Sequence, residues 1–120
     1  MKTKDILNLD LTNHQNRHII AQALHKIPEL QQYTDKQITD SVLEELLFTL
    51  CVDHRLFINA LYADVYASNE GIVWKLVVSR LDKPDVRIHC YGVTLFEVLA
   101  KGVIMVYSKV KKKRANMYDS

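Results

Sequence analysis

The chain has 120 residues, of which 48% are hydrophobic and 25% are charged, with three glycines and two prolines. This composition excludes a disordered, collagen-like or disulfide-stapled protein and predicts one globular domain with a core of its own. Residues 1–108 carry 11 cations against 13 acids, so the formal charge of +2 comes from the C-terminus. We therefore expect a single domain over residues 1–110 and a basic tail over residues 111–120.

No apolar segment approaches the roughly 20 residues that span a bilayer, and acidic and amide residues interrupt the N-terminus where a signal peptide would need an apolar run. These features predict a cytoplasmic protein without a membrane partner. Cys51 and Cys90 lie in apolar surroundings and form no metal-type pair, so free, buried thiols are expected.

Two amphipathic helices are predicted in the N-terminal half. Apolar residues recur at helical spacing over residues 11–25, and Pro28 ends this first helix. Thr34 and Gln37 have the spacing of a capping box, which predicts a second helix over residues 35–52.

Residues 53–67 fit two patterns. Leu61 and Val65 belong to a series with helical spacing, whereas Ile58 and Tyr62 belong to a series that alternates with a period of two. We prefer a helix for this segment, with a strand as the alternative.

A β-hairpin is predicted next. Residues 72–79 alternate and are rich in β-branched and aromatic types, a loop follows over residues 82–85, and residues 86–91 return as a second strand. The residues expected to share the buried face are Trp74, Leu76, Val78, Val86, Ile88 and Cys90.

The last predicted element is a long helix. Gly92 ends the strand, and Thr94 and Glu97 form a second capping box that opens a helix reaching about Lys112. Apolar residues surround most of this helix, so it needs cover from the N-terminal helices or from a second copy of the chain. Gly102 within it indicates the close approach of a neighbouring helix. The fold class is α+β: N-terminal helices and a short antiparallel β-hairpin or sheet packed with a long C-terminal helix.

The sequence contains no catalytic motif that would predict an enzyme. His14 and His18 have the spacing of two metal ligands, but no third ligand is evident, so no metal and no cofactor are predicted. A nucleophile pair of Cys51 or Cys90 with His54 is set aside because the thiols are expected to be buried.

Cations and aromatic residues on the strands are the candidates for binding a partner. By alternation, Lys75 and Arg87 lie on the face opposite Trp74, together with His89 and Tyr91. The candidate residues for a ligand or partner are Lys75, Arg80, Arg87, His89 and Tyr91.

The C-terminal cations give an alternative site, because a cluster of this kind can bind the phosphates of nucleic acid. The same cluster also interacts favourably with a helix dipole and keeps a small protein soluble, which is the interpretation we prefer. The residues of this alternative site are Lys109, Lys111, Lys112, Lys113 and Arg114.

The C-terminal half resembles small phage-encoded proteins in which a short antiparallel sheet lies between helices. The residues that carry the resemblance are Trp74, the turn at residues 92–94, Leu95, Leu99 and Ala100. It implies a non-enzymatic interaction module that binds a host protein or a small ligand and inhibits a host function. The β-β-α ending is also similar to double-stranded-RNA-binding domains, although its last helix lacks their basic cluster at its start.

Two functions are therefore expected. The first is an interaction or regulatory module of phage or bacterial type that forms homo-oligomers. The alternative is a nucleic-acid-binding module that uses the basic tail and the strand cations.

Overall fold

The computed structural model describes residues 6, 9, 14–64 and 73–118, with residues 111–118 described as backbone. Its elements are α1 (His14–His25), a 3-10 turn (Pro28–Leu30), α2 (Asp40–Asp53), β1 (Leu56–Asp64), β2 (Val73–Arg80), β3 (Arg87–Gly92) and α3 (Leu95–Tyr118). The strands form an antiparallel sheet in the order β1-β2-β3, and α3 packs against it. The predicted α+β class is confirmed.

The β2–β3 hairpin forms as predicted. Its register pairs Leu76 with Cys90 and Val78 with Ile88, and all four side chains are buried on one face. Val86 departs from the prediction because it is 40% exposed. It belongs to the loop, where its N–H donates a hydrogen bond to the Lys83 carbonyl. It therefore precedes the alternating part of the strand.

The segment after α2 is a strand, so the prediction of a helix over residues 53–67 was wrong where the structure describes it. Helix α2 ends at Asp53, and Arg55 adopts a left-handed conformation with φ 57° that redirects the chain. β1 then pairs along β2, with a bulge between Ile58 and Ala60. The pairing satisfies backbone groups of β2 that would otherwise lie at a sheet edge.

Helix α2 begins later than the capping box at Thr34 predicted. The Thr34 N–H does donate to Gln37 Oε1 at 2.9 Å, but this contact closes only a turn. The N-cap is Thr39, whose hydroxyl accepts from the Val42 N–H at 3.4 Å. A second threonine five residues along therefore provides the start of the helix.

Helix α1 ends before Pro28, as predicted. The predicted beginning of this helix at residues 11–13 lies outside the described residues.

Helix α3 is the centre of the core. It begins after the predicted cap, with the Glu97 N–H donating to Thr94 Oγ1 at 3.1 Å, and continues to Tyr118 rather than ending near Lys112. Every residue from 97 to 106 is buried, because α1, α2, β2 and β3 all pack against this helix. The other helices and the sheet of the same chain therefore bury the apolar residues that surround α3.

Gly102 has a different neighbour from the one predicted. A Cβ at this position would overlap Cδ2 of Leu76 on β2 and would lie 3.8 Å from Cδ2 of Leu47 on α2. The small residue is therefore needed for the approach of α3 to the sheet, and the neighbouring helix is a more distant contact.

Candidate interaction site

The helices pack against one face of the sheet and leave the other face to solvent among the described residues. We call this second face the open face. Alternation and register place on it Tyr62 of β1, Lys75 of β2, and Arg87, His89 and Tyr91 of β3. The four candidates predicted to share this face therefore do lie together, and Tyr62 joins them.

Tyr62, Lys75 and Tyr91 form one row across the three strands. The register sets Lys75 directly between the two tyrosines, which are 46% and 48% exposed. The Lys75 ammonium lies 5.8 Å from the ring centroid of Tyr62 and 6.0 Å from that of Tyr91. Both distances are within the range of a cation–π interaction, so the row holds two exposed aromatic side chains in place.

Asp64 completes the electrostatic surroundings of Lys75. Its Oδ2 accepts a hydrogen bond from Lys75 Nζ at 3.4 Å. Tyr62, and after it Asp64, raise the pKa of the Lys75 ammonium. Lys75 is consequently charged at neutral pH.

The second part of the open face is basic. Arg87 and His89 are exposed, and Arg87 Nε donates to the Pro84 carbonyl at 3.0 Å. Within the described part of the chain, no carboxylate lies within 4.0 Å of the Arg87 guanidinium. This cation is therefore available to a partner.

Arg80 does not belong to the open face. Its position in the alternation puts it on the side of Trp74 and Leu76, at the end of β2. Its guanidinium donates to both carboxylate oxygens of Asp82, from Nε at 3.0 Å and from Nη2 at 2.6 Å, and this hydrogen bonding lowers the pKa of the Asp82 carboxyl. Arg80 is thus separated from Lys75, because it lies an odd number of residues further along β2 and the following loop supplies an acid for its guanidinium.

The alternative nucleic-acid residues lie in the C-terminal half of α3. Lys109 is exposed on this helix. The backbone of residues 111–114 continues the helix, while their side chains lie outside what the structure describes. The basic stretch is thus a helical extension rather than an irregular tail over these positions.

A buried ion pair fixes the junction between β3 and α3. Glu97 Oε2 accepts from the Val93 N–H at 2.5 Å, and Glu97 Oε1 lies 3.6 Å from Lys101 Nζ. Lys101 also donates to the Tyr91 carbonyl at 3.0 Å. A Cβ on Gly92 would overlap the Glu97 side chain, so a larger residue here would displace the carboxylate from its contacts with Val93 and Lys101. The sequence indicated the cap but gave no sign of the Lys101 contact.

The same junction differs from the basic helix start of a double-stranded-RNA-binding domain. Lys101 is the first cation of α3, and it is buried against Glu97. No exposed cation is present over residues 95–104, which the structure describes completely. The start of α3 therefore offers no charge to phosphates.

The cysteines lack the properties of a nucleophile. Both are buried, and burial raises the pKa of Cys51 to about 11 and that of Cys90 to about 12. Among the described residues, no group of three His, Cys, Asp or Glu side chains is placed to hold a metal ion. The side chain of His14, one of the two histidines considered for metal binding, lies outside the described residues.

A groove of about 490 Å³ lies between α1 and the beginning of α3, and the sequence gave no sign of it. Its lining includes Arg17, His18 and Asp35 beside apolar residues. The volume is in the range of small-molecule sites. Of the apolar residues in its wall, Ile20 and Leu24 are almost fully buried, whereas Val93 is exposed and Phe96 is half-buried.

Comparisons with protein-family models, curated proteins and solved structures found no match to this chain. The resemblance to small phage-encoded proteins therefore stays a prediction. Of the helices in the described residues, none has the length and hydropathy needed to cross a membrane.

Proposed function

We propose that the protein is a non-enzymatic interaction module that binds a partner protein on the open face of its sheet. The observation that carries the proposal is the ordered row of Tyr62, Lys75 and Tyr91. Tyrosine and arginine are enriched among residues that dominate the energy of protein interfaces. Here two exposed tyrosines and the available Arg87 share one surface that is rigid because it is built on strands.

The charges of the open face favour a protein over a nucleic acid. Lys75 is paired with Asp64, so only Arg87 contributes a cation without an acidic neighbour among the described residues. Strong binding to nucleic acid requires several cations that neutralise phosphates. In addition, the Lys75 ammonium already covers one face of each tyrosine ring, which leaves less ring surface for stacking on bases.

The kind of partner follows from the resemblance alone. A phage or bacterial module of this size implies a host protein as the partner and inhibition of its function as the result. The exposed tyrosines and Arg87 on the open face support binding to the surface of a protein.

The test is capture of partners from an extract of the host cells in which the protein is naturally produced. Wild-type protein is compared with the double variant Tyr62→Ala/Tyr91→Ala, and bound proteins are quantified by mass spectrometry. Loss of these anchors is expected to reduce capture of the specific partner by at least about tenfold, since each such residue contributes on the order of 1–2 kcal/mol.

Phe48→Ala is the matched control, because Phe48 is a similarly exposed aromatic residue, 52%, on α2 and away from the sheet. It is expected to retain the partner. Equal capture by the wild type and by the double variant would contradict the proposal. Capture that disappears after nuclease treatment would show instead that nucleic acid is the partner.

A further inference from the structure

Strand β3 is one edge of the sheet, and its hydrogen-bonding pattern shows which groups face outward. The Arg80 N–H donates to the Val86 carbonyl at 3.2 Å, so these two residues form a hydrogen-bonded pair. Such pairs alternate along an antiparallel ladder. Arg87, His89 and Tyr91 consequently direct their backbone N–H and C=O groups away from β2, toward the edge.

This edge carries few of the features that protect sheet edges from pairing. β3 contains no proline and no bulge, whereas β1 at the other edge has the bulge between Ile58 and Ala60. The Tyr91 carbonyl accepts a hydrogen bond from the Lys101 ammonium. Among the described residues, the outward backbone groups of Arg87 and His89 have no backbone partner.

We propose that β3 pairs antiparallel with β3 of a second copy of this chain, centred on His89. The two sheets then join into one sheet of six strands, and the two open faces become continuous. This interface goes beyond the proposed function and does not depend on it.

The side chains of β3 are complementary to themselves in this register. Each Arg87 lies opposite Tyr91 of the second copy, which brings a guanidinium beside an exposed aromatic ring, and both lie on the open face. The Tyr91 carbonyl can keep Lys101 and still accept from the second copy, since a carbonyl oxygen has two lone pairs. Exposed apolar residues, Val86 and Val93, flank the strand and gain cover at both ends.

Other registers are less favourable. A shift by two residues in one direction would set Arg87 opposite His89, which removes the cation–π pairs and brings two basic groups together. A shift by two residues in the other direction would set Arg87 opposite Val93, whose N–H already donates to Glu97 Oε2. A shift by one residue would pair the outward backbone groups of one copy with the N–H and C=O groups of Ile88 and Cys90 in the other copy. Those groups point inward and are already hydrogen-bonded to β2. The register centred on His89 is therefore the one that the edge supports.

His89→Pro tests the interface with the intact chain. Proline removes the outward N–H of His89 and no hydrogen bond within the sheet, and an edge strand tolerates it at such a position. Light scattering coupled to gel filtration is expected to show a dimer of the wild type in the micromolar range. His89→Pro is expected to be monomeric with an unchanged far-ultraviolet circular dichroism spectrum, while the control His89→Thr, which retains the N–H, remains a dimer.

Cysteine variants test the register. In a hydrogen-bonded antiparallel pair the two Cα atoms are about 5.5 Å apart, so oxidised His89→Cys is expected to form a disulfide-linked dimer. Arg87→Cys is the control, because its two copies would lie about 14 Å apart, four residues along the strand and one strand spacing across it, and it is expected not to cross-link.

A monomeric wild type up to a few hundred micromolar would overturn the proposal. So would a dimer that persists in His89→Pro, or a dimer in which Arg87→Cys cross-links and His89→Cys does not.

Discussion

Lys101 is a charged residue inside the core, at 3% exposure, and its partners explain how it is tolerated. The Glu97 carboxylate and the Tyr91 carbonyl satisfy its ammonium, and an unpaired buried charge would cost several kcal/mol. The helical spacing of α3 shows on which side of the helix Lys101 lies. It does not show which hydrogen-bond acceptors of β3 lie beside the ammonium. Contacts of this kind depend on tertiary packing and could not be predicted from the sequence.

The thiols of Cys51 and Cys90 give a prediction at the same scale. Because burial raises their pKa values to about 11 and about 12, the thiolate fraction at pH 8 is about one part in a thousand or less. The thiolate is the reactive form. Iodoacetamide is therefore expected to alkylate the native protein at least about 100-fold more slowly than the urea-unfolded protein, as measured by mass spectrometry.

The raised pKa values of the two thiols also determine how the stability of the protein changes with pH. Both thiols have a higher pKa in the folded state than in the unfolded state, so their contribution to the free energy of unfolding is present below about pH 9 and is lost as the pH rises toward 12. A Cys51→Ala/Cys90→Ala variant should lose less stability than the wild type between pH 9 and 11 in urea titrations. Rapid alkylation of the native protein, or identical pH slopes, would contradict this account.

Among the secondary-structure elements, the β2–β3 hairpin could be predicted because the sequence signals that specify it lie close together in the chain. β2 and β3 combine alternation with a Pro-containing loop, and both signals lie within about 20 residues. β1 was not predicted because the alanines and leucines of residues 53–67 fit both the helical period and the period of two of a strand. The end of α2 carries no glycine or asparagine to mark it, and Arg55 takes the left-handed position instead.

Arg55→Gly tests the role of that turn. A left-handed backbone is costly for a residue with a Cβ, and glycine adopts it freely. The substitution is expected to raise the free energy of unfolding by about 0.5–1 kcal/mol, measured by urea denaturation. Arg55→Ala removes the same side chain without relieving the backbone and should not stabilise. Equal effects of the two variants would show that the side chain, and not the backbone, determines the difference.

The error in β1 also explains which part of the candidate site was missed. Lys75, Arg87, His89 and Tyr91 were assigned to one face because alternation within the hairpin determines it. Tyr62 was not included, since a residue assigned to a helix cannot be placed in register with Lys75. The aromatic row became recognisable only with the third strand in place.

At the scale of the whole molecule, one side of the sheet forms the core and the other is available for binding. The helices pack on the first side, and α3 is buried there as far as Val110. The open face lies on the second side. The basic stretch follows Val110, the last core residue among those described, so its contribution can be tested independently of the open face.

Removal of residues 111–120 distinguishes a protein partner from a nucleic acid. The truncation takes away four cations and one acid, which changes the formal charge from +2 to −1. It leaves every described core residue in place, because the last of them is Val110, so the free energy of unfolding should fall by less than about 1 kcal/mol. Partner capture through Tyr62 and Tyr91 is expected to be unchanged.

Binding to DNA and RNA is measured in parallel as a function of salt concentration. If Lys111 to Arg114 bind phosphates, the affinity of the full-length protein falls steeply with salt, because each neutralised phosphate releases counterions, and the truncation flattens that slope. A full-length variant with glutamine at these four positions separates loss of charge from loss of helix length. We expect weak binding to nucleic acid and full partner capture in both variants. If both variants lose the biological effect of the protein while they keep its melting temperature, the partner is a nucleic acid or another polyanion, and the open face is not its main binding site.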